Sequence, residues 1–287
     1  MAEATVWTGA HVRERWPVPR AQDDKYSRGV VGLVAGSDAY PGAAALGASG
    51  AVRAGAGMVR YVGPRRAQDL VLAHRPECVV HDPGEAAERL PRAQAWVVGP
   101  GVSDHPEQDA AIGAAMASGA PLVVDAGALE AVARSRASGS REAPADRVLL
   151  TPHAEELMRT LQALRHDVTV MDVAAERAGH ARLLAETARA TVLLKGATTI
   201  VASPGGAVVE LPEAPPWLAT AGSGDVLAGI AGALLASGMS AVDAGACAAW
   251  IHASAARTAR AGGPVAALDV AEALPRAITA VLRGTPA

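Results

Sequence analysis

The residues best suited to chemistry lie in the stretch Ala221-Gly-Ser-Gly-Asp225, which runs into an apolar helix pattern. Gly222 and Gly224 permit positive φ and leave the N–H groups of the turn open to a ligand. With Ser223 as predicted N-cap, unpaired N–H groups and the positive end of the helix dipole would face an anion. Asp225 cannot itself hold a phosphate, but it can take a proton from a hydroxyl that attacks phosphorus. The stretch therefore predicts an oxyanion-binding or phosphate-binding turn at 222–224 beside a general base; the alternative is an ordinary capped helix.

A second candidate follows the predicted strand Val192–Leu194. Lysine, glycine, alanine and two threonines come next, as Lys195, Gly196, Ala197, Thr198 and Thr199. An ammonium group, open backbone N–H groups and hydroxyls can hold a phosphate together. The alternative is a lysine that simply reaches out of a turn into solvent.

Three weaker candidates also follow predicted strands. The segment Ala35–Ala44 ends in small residues, among them Ala43, that would let a ligand approach the backbone, and Gly99-Pro-Gly101 offers a similar bare surface. His153 follows a further strand, although a single histidine in such a place is more often structural than catalytic. In an open α/β sheet, ligands bind at the carboxyl ends of the strands, where all these candidates lie.

Several classes of site are excluded by their missing patterns. The sequence contains no G-x-x-x-x-G-K-[ST] loop, no G-x-G-x-x-G after the first strand and no G-x-S-x-G elbow. It has no His, Cys or Glu group with metal-ligand spacing, so no protein metal site is predicted. The chemistry must come from a carboxylate, a lysine and backbone amides.

Composition indicates a soluble cytoplasmic protein. The net charge of −3 over 287 residues gives no reason to expect nucleic acid or a membrane as partner. Cys78 and Cys247 are far apart and suggest neither a disulfide framework nor a metal site, which fits a reducing compartment. Residues 1–20 lack the apolar core of a signal peptide. With 3% aromatic residues and no Phe, the core must be built from Ala, Val and Leu.

Short apolar strands alternate with helical patterns through most of the chain. This predicts a single α/β domain over residues 25–287, with a mostly parallel central sheet and helices on both faces. Residues 1–24 are predicted to form an N-terminal arm. Further expectations are a loop over 134–146, one long helix over Met171–Arg189, and a hairpin turn at Ser203-Pro-Gly-Gly206.

Six motifs in this order resemble one family, the ADP-dependent (S)-NAD(P)H-hydrate dehydratases, a repair branch of the ribokinase-like superfamily. The resemblance covers about residues 25–260. The matching segments are Ala35-Gly-Ser-x-x-Tyr-Pro-Gly-Ala-Ala44, Gly99-Pro-Gly101, Asp125-Ala-Gly-Ala-Leu129, Leu150-Thr-Pro-His-x-x-Glu156, Leu194-Lys-Gly-Ala-x-Thr199 and Ala221-Gly-Ser-Gly-Asp-Val-Leu-Ala-Gly229.

The resemblance implies removal of water from the S epimer of NAD(P)H hydrate, with ADP as co-substrate, yielding NAD(P)H, AMP and phosphate. It assigns catalysis to Asp225. Because phosphoryl transfer needs charge neutralisation, Mg²⁺ is also expected, with the nucleotide phosphates as its main ligands. Residues matching the contacts to the hydrated dinucleotide are Ala43, Gly101, His153 and Asp225. Residues matching the nucleotide site are Lys195, Gly196, Ala197, Thr198, Thr199 and Gly224.

The chain departs from the family pattern at two places. It has His153-Ala-Glu-Glu156 where the family often has His-Pro-Gly-Glu, and Pro215-Pro-Trp-Leu218 where many members carry an Asn. About 24 residues precede the first predicted strand, which leaves no room for a fused epimerase. The resemblance therefore implies a stand-alone dehydratase that works with a separate NAD(P)H-hydrate epimerase, and a homo-oligomer, commonly a tetramer.

Two other functions remain open from the sequence. An ATP-dependent small-molecule kinase of the ribokinase or hydroxymethylpyrimidine kinase type shares the GSGD turn, but would release ADP and a phosphorylated product. The other is a non-catalytic nucleotide-binding protein. The presence of Asp225 and Lys195 argues against it. ADP and ATP both fit the pattern as donors, and the hydrates of NADH and NADPH both fit as substrates.

Overall fold

A ten-stranded sheet forms the centre of the protein. The computed structural model describes residues 4–103, 105–139, 143–260 and 262–285. Within these residues the strand order is β1-β10-β9-β8-β7-β6-β5-β2-β3-β4. The strands are β1 Thr5–Val6, β2 Val30–Val34, β3 Met58–Val62, β4 Val79–His81, β5 Ala95–Val98, β6 Leu122–Val124, β7 Val148–Leu150, β8 Thr191–Leu194, β9 Ile200–Ala202 and β10 Val208–Glu210.

The seven strands from β2 to β8 are parallel to one another. β9 then turns back antiparallel to β8, and β10 is antiparallel to β9. The predicted hairpin turn lies between these last two strands, with the Ser203 amide donating to the Ala207 carbonyl at 2.9 Å. The mostly parallel sheet confirms the predicted fold class, and it places the carboxyl ends of β2 and β5 to β8 along one edge.

Helices cover both faces of the sheet. They are α1 Gly9–Arg15, α2 Gly42–Arg53, α3 Arg65–His74, α4 Pro83–Glu88, α5 Pro106–Ala117, α6 Leu129–Ala137, α7 Ala154–Ala163, α8 Val170–Ala175, α9 Arg177–Ala188, α10 Ser223–Ala236, α11 Ala241–Ala259 and α12 Ala267–Arg283. One apolar core joins the sheet to α2, α10, α11 and α12, and a second joins its other face to α5, α6, α7 and α9. None of these helices is long and apolar enough to cross a membrane.

Each strand supplies both cores because successive side chains point to opposite faces. In β5, Ala95 and Val97 pack in the apolar core that contains α10. Trp96 and Val98 pack in the second core, which contains α5. All four are buried, so the strand is apolar throughout rather than alternating. This is why short uninterrupted apolar runs predicted the strands so closely.

The small residues of α2 and α10 let these helices touch backbone to backbone. A Cβ added to Gly50 would collide with the Val226 carbonyl, and one added to Gly229 would collide with the Gly47 carbonyl. Without Phe, the protein fills its core by bringing helices closer rather than by inserting larger side chains.

The region predicted as an N-terminal arm contains β1 and α1. β1 extends the sheet parallel to β10, and α1 packs on α11 and α12. Trp7, Val12 and Trp16 are buried at this junction. The domain division at residue 24 stays a prediction.

Two predicted elements are wrong. The segment expected to be a loop over 134–146 begins inside α6, which continues to Ala137, and a 3₁₀ turn occupies Ala145–Arg147. Val132 and Ala133 anchor α6 in the core, and this tertiary packing outweighs the polar composition that follows. Residues 140–142 lie outside the described residues.

The long helix expected over Met171–Arg189 is broken in two at Glu176, whose backbone is not helical (φ −138°, ψ 67°). Two separate packing surfaces account for the break. Val173 in α8 and Leu184 in α9 are both fully buried, but α8 packs on α7, whereas α9 packs mainly on β8 and β9.

Candidate active site

Side chains from three neighbouring strands meet at the carboxyl edge of the sheet. Asp125 follows β6, Thr151 follows β7 and Lys195 follows β8. The strands are short, parallel and in register, so their ends lie side by side. Lys195 is also fixed by its backbone, whose N–H donates to the Pro152 carbonyl at 2.8 Å.

Asp125 and Lys195 form a buried ion pair at this edge. Lys195 Nζ lies 2.8 Å from Asp125 Oδ1, which also accepts a 2.9 Å hydrogen bond from the Thr151 hydroxyl. Glu156 Oε2 lies 3.5 Å from the same ammonium group. Burial acts to lower the pKa of Lys195, but the two carboxylates outweigh it and raise that pKa above its ordinary value. The lysine therefore keeps its charge in the site.

His153 and Glu156 close the start of α7 as a capping box. The His153 amide donates to Glu156 Oε2 at 2.8 Å, and the Glu156 amide donates to His153 Nδ1 at 3.4 Å. The His153 side chain is nearly half exposed. Although the residues between them differ from the family pattern, these two side chains interact directly.

The turn before α10 has the predicted positive φ at Gly222 but not at Gly224, which lies within the helix. Gly222 is the N-cap at φ +83°, where an added Cβ would collide with Leu46. The prediction that Ser223 is the N-cap is wrong. Ser223 is the first helical residue, and its hydroxyl donates to the Leu218 carbonyl at 2.9 Å. The left-handed conformation that the cap requires suits glycine better than serine.

Gly224 faces the charged cluster. A Cβ at this position would lie 3.5 Å from Lys195 Nζ and 3.9 Å from Asp125 Oδ2. Residues in the first turn of an α-helix have N–H groups without an intrahelical partner. The ammonium group of Lys195 and the start of α10 thus face the same space, which suits an anion.

Asp225 is the unpaired carboxylate of this site. Among the described residues, no group donates a hydrogen bond to its carboxylate. Burial and the nearby charge of Asp125 raise its pKa to about 7, while Lys195 acts in the opposite direction. A carboxylate with this pKa can accept a proton near neutral pH, as a general base must.

A cavity of about 560 Å³ adjoins the charged cluster. Lys195, Gly196, Ala197, Thr199 and Gly224, five of the six residues matched to the nucleotide site, line it. The sixth, Thr198, is not among the lining residues; its carbonyl accepts a 3.2 Å hydrogen bond from Arg177, which also binds the Lys195 carbonyl. His153 lines the cavity as well, whereas Asp225, Ala43 and Gly101 do not.

The outer wall of this cavity is the segment 213–219. Its Ala214 amide donates to the Ala197 carbonyl at 2.9 Å, which ties the wall to the loop after β8. Trp217 follows the lining residues Pro215 and Pro216, is half exposed, and donates from Nε1 to the Gly262 carbonyl at 3.2 Å.

Ala43 and Gly101 form a second surface on the same edge. A Cβ added to Gly101 would lie 2.5 Å from Ala43 Cβ. Ala43 lies in the first turn of α2, and a Cβ on Gly47, one turn later, would lie 3.6 Å from the Asp225 carbonyl. The α2–α10 contact thus links this bare surface to the start of α10.

Two residues of the site, Asp125 and His252, were not predicted from the sequence to be functional. Asp125 was recognised only as part of a motif, although its position directly after β6 was a usable signal. His252 lies within α11, lines the cavity and is buried, but nothing in the surrounding alanine-rich sequence distinguishes it.

Comparison with known proteins decides the family. A profile of the NAD(P)H-hydrate dehydratase family (Carb_kinase) matches residues 31–276. The chain belongs to the NAD(P)H-hydrate dehydratase family. It is 34% identical to the ADP-dependent (S)-NAD(P)H-hydrate dehydratase of Neisseria meningitidis over 258 residues, covering 86% of this chain and 83% of that relative. The family match favours the dehydratase over the kinase alternative.

The chain is also similar to longer family members. It is 47% identical to the bifunctional NAD(P)H-hydrate repair enzyme Nnr of Mycobacterium tuberculosis over 229 residues, which cover 79% of this chain and 45% of that protein. The chain therefore spans about half the length of the bifunctional relatives it matches.

Solved structures agree with this assignment. The ADP/ATP-dependent NAD(P)H-hydrate dehydratase of Bacillus subtilis, co-crystallised with ATP and Mg²⁺, has a TM-score of 0.87 at 28% identity and covers 98% of this chain and 100% of its own. A ribokinase-like protein of Enterococcus faecalis has a TM-score of 0.82 at 21% identity. The match covers 97% of this chain and 96% of that protein. The fold is ribokinase-like, as expected.

Proposed function

We propose that this chain removes water from the S epimer of NAD(P)H hydrate at the expense of ADP, acting as a hydro-lyase in metabolite repair. The observation that carries the proposal is Asp225, a carboxylate with a pKa of about 7 at the start of α10. Beside it lie the Lys195 ammonium group and the first-turn amides, which suit a phosphoryl group. The ADP-dependent relative and the ATP-bound structure support the use of a nucleotide.

The reaction would proceed in two steps. Asp225 takes the proton of the ring hydroxyl as that oxygen attacks the β-phosphorus of ADP, and AMP leaves with the electrons of the broken P–O bond. The lone pair of the ring nitrogen then expels phosphate, and loss of a proton from the adjacent carbon restores the double bond. Amides of 222–224 and the charge of Lys195 would stabilise the transferring phosphoryl group.

The two ligands would occupy different parts of the edge. The nucleotide would fill the cavity at Lys195–Thr199 and Gly224. The hydrated dinucleotide would lie along Ala43 and Gly101, with His153 and Asp225 between it and the nucleotide. This arrangement would put the carboxylate where the two reacting groups meet.

Mg²⁺ would assist by neutralising the phosphates when bound. Among the described residues, no group of three or more His, Cys, Asp and Glu side chains is placed to hold a metal. The ion would therefore take most of its ligands from the nucleotide phosphates and water, which is a common arrangement for Mg²⁺.

By the family resemblance, we also propose a cytoplasmic homo-oligomer, a tetramer, that works with an epimerase acting on the R form. Cys78 and Cys247 are buried and unbridged, which is compatible with a reducing compartment. Light scattering of the purified protein tests the tetramer.

The decisive experiment measures absorbance near 340 nm with fresh S-epimer of NADH hydrate, Mg²⁺ and either ADP or ATP. We expect a rise that requires nucleotide, with AMP and phosphate released when ADP is used. Asp225→Asn should abolish the rise while nucleotide binding is largely retained. No rise with either nucleotide would overturn the proposal.

The matched control is Asp69→Asn, an equivalent change at an exposed carboxylate of α3. It should turn over like the wild type. Loss of nucleotide binding in Asp225→Asn would show that Asp225 holds the nucleotide instead of accepting a proton. Release of ADP and a phosphorylated product from ATP would point to a kinase.

A further inference from the structure

A buried histidine in the wall of the cavity has no role in the mechanism above. His252 lies in the middle of α11 and is 7% exposed. Its Nε2 atom is buried and has no hydrogen-bond partner among the described residues. A buried polar atom without a partner costs free energy, so its persistence beside a cavity points to a partner supplied by a ligand.

The ring of His252 is uncharged near neutral pH. Burial lowers its pKa to about 4; the backbone of Ser223 acts against this decrease and the charge of Lys195 adds to it. A neutral imidazole does not strengthen phosphate binding by charge. Because the other ring nitrogen interacts with the Ser223 backbone, the free Nε2 is left as an acceptor, which suits a hydroxyl or an amino group as donor.

His252 shares the cavity with the phosphate end, since its ring interacts with the Ser223 backbone and the charge of Lys195 reaches it. Lys195 and Gly224 mark that end, and the apolar residues Leu227, Ala249 and Ala253 line the cavity together with His252. This apolar part suits the flat base and the ribose of a nucleotide, which need few but well-placed polar contacts.

Other polar side chains of the cavity wall are less suited to this task. The Ser223 hydroxyl is used by the Leu218 carbonyl, and Glu213 is exposed to solvent. His252 is the buried polar side chain within the apolar part of the lining.

We propose that His252 determines nucleotide affinity by forming a hydrogen bond with the nucleoside half, at a ribose hydroxyl or at the edge of the base. This inference rests on the proposed function, which places a nucleotide in the cavity. It adds a residue that recognises the nucleoside to the groups that hold the phosphates.

Direct binding measurements test the proposal, because they separate the two halves of the nucleotide. Dissociation constants of ADP and of inorganic pyrophosphate are measured by calorimetry, with Mg²⁺, for the wild type and His252→Ala. We expect ADP to bind about 5- to 20-fold more weakly, the usual effect of losing one hydrogen bond, while pyrophosphate binding is unchanged. The matched control, Gly224→Ala, adds a methyl group at the phosphate end and should weaken both ligands.

A second variant guards against a folding defect. His252→Phe fills the same space without a hydrogen-bonding atom, so it should reproduce the loss of ADP affinity, and thermal melting checks that it is folded. Two analogues identify the ligand group. If the ribose is the partner, 2′-deoxy-ADP should bind the wild type as weakly as ADP binds the variant; if the base edge is the partner, purine riboside diphosphate should do so.

Three results would overturn the inference. One is unchanged ADP affinity in folded His252→Phe, and another is an equal loss for ADP and pyrophosphate, as expected of a residue that only supports the start of α10. A wild-type protein that binds neither ADP nor ATP would overturn the proposed function itself, and this inference with it.

Discussion

At the scale of single residues, the carboxylate of Asp225 is the least ordinary group in the protein. Its ionised form is disfavoured first by burial and second by the charge of Asp125. Lys195 and Thr151 bind the Asp125 carboxylate and so fix its position beside the base. Asp125 therefore has two effects: it orients Lys195, and it adds to burial in making Asp225 a stronger base than an exposed aspartate.

The rate of dehydration should depend on the ionisation of Asp225. We expect kcat/KM to rise with pH through about 7 and then to level off, because only the ionised carboxylate accepts the proton. Asp125→Asn should move this rise in kcat/KM to lower pH. The rise should not reach the pH range of an ordinary carboxyl group, because burial raises the pKa of Asp225 more than Asp125 does. A pH–rate profile of both proteins is the measurement; an unmoved rise would show that Asp125 does not tune the base.

The same carboxylate should affect stability. Because the folded-state pKa is raised from 3.8 to about 7, the folded state is penalised as pH rises through this range. After allowance for partial exposure, the penalty at pH 8 is on the order of 2–4 kcal/mol. Asp225→Asn should therefore raise Tm at pH 8 by at least about 4 °C. Melting curves at several pH values should show the difference shrinking toward pH 4; a constant difference would contradict the assigned pKa.

At the scale of elements, the contact between α2 and α10 determines the relative positions of the two ligand surfaces. Ala43 lies in the first turn of one helix and Asp225 in the first turn of the other. Because their backbones touch at Gly50 and Gly229, the two helices have little freedom to move apart or slide.

Filling this contact should be costly. Gly50→Ala places a methyl group against the Val226 carbonyl, and we expect a loss of about 1–3 kcal/mol or more in the free energy of unfolding. The control is Gly113→Ala in α5, where an added Cβ meets nothing within 4 Å. There the better helix propensity of alanine should stabilise the protein by up to about 1 kcal/mol. Urea unfolding of both variants distinguishes steric overlap from propensity.

Most strands and the helices around them could be predicted from the sequence, because buried parallel strands appear as short apolar runs. The wrong elements share a different cause. The break at Glu176 and the helix end at Ala137 depend on which surfaces α6, α8 and α9 pack against, and a single sequence does not record that packing.

At the scale of the whole molecule, the carboxyl edge of the sheet was predictable and its details were not. Lys195 and Asp225 are in conspicuous turns directly after a strand and before a helix. The partnership of Asp125 with Lys195 spans 70 positions in the chain, and His252 acquires its surroundings only when α11 folds over the cavity. Such long-range neighbours leave no local pattern.

The amino-terminal segment should contribute to the stability of the whole domain. Val12 in α1 is fully buried against α11 and α12, so Val12→Ala should cost about 1–3 kcal/mol. Val6 in β1 is 58% exposed, and the same substitution there should change stability by less than about 0.5 kcal/mol. Denaturant unfolding compares them. Equal small effects would mean that residues 4–16 are an appendage rather than part of the core.

Trp217 gives the protein an optical signal at the wall of its cavity. Of the five tryptophans, Trp7, Trp16 and Trp96 are buried, and Trp217 alone is half exposed. An indole in contact with water emits at longer wavelength than a buried one and is more open to collisional quenching by acrylamide. The long-wavelength part of the tryptophan emission spectrum should therefore come mainly from Trp217, which is next to Pro216 of the cavity lining. A ligand that covers this wall would shield the indole, so stopped-flow fluorescence could follow nucleotide entry before any product is formed.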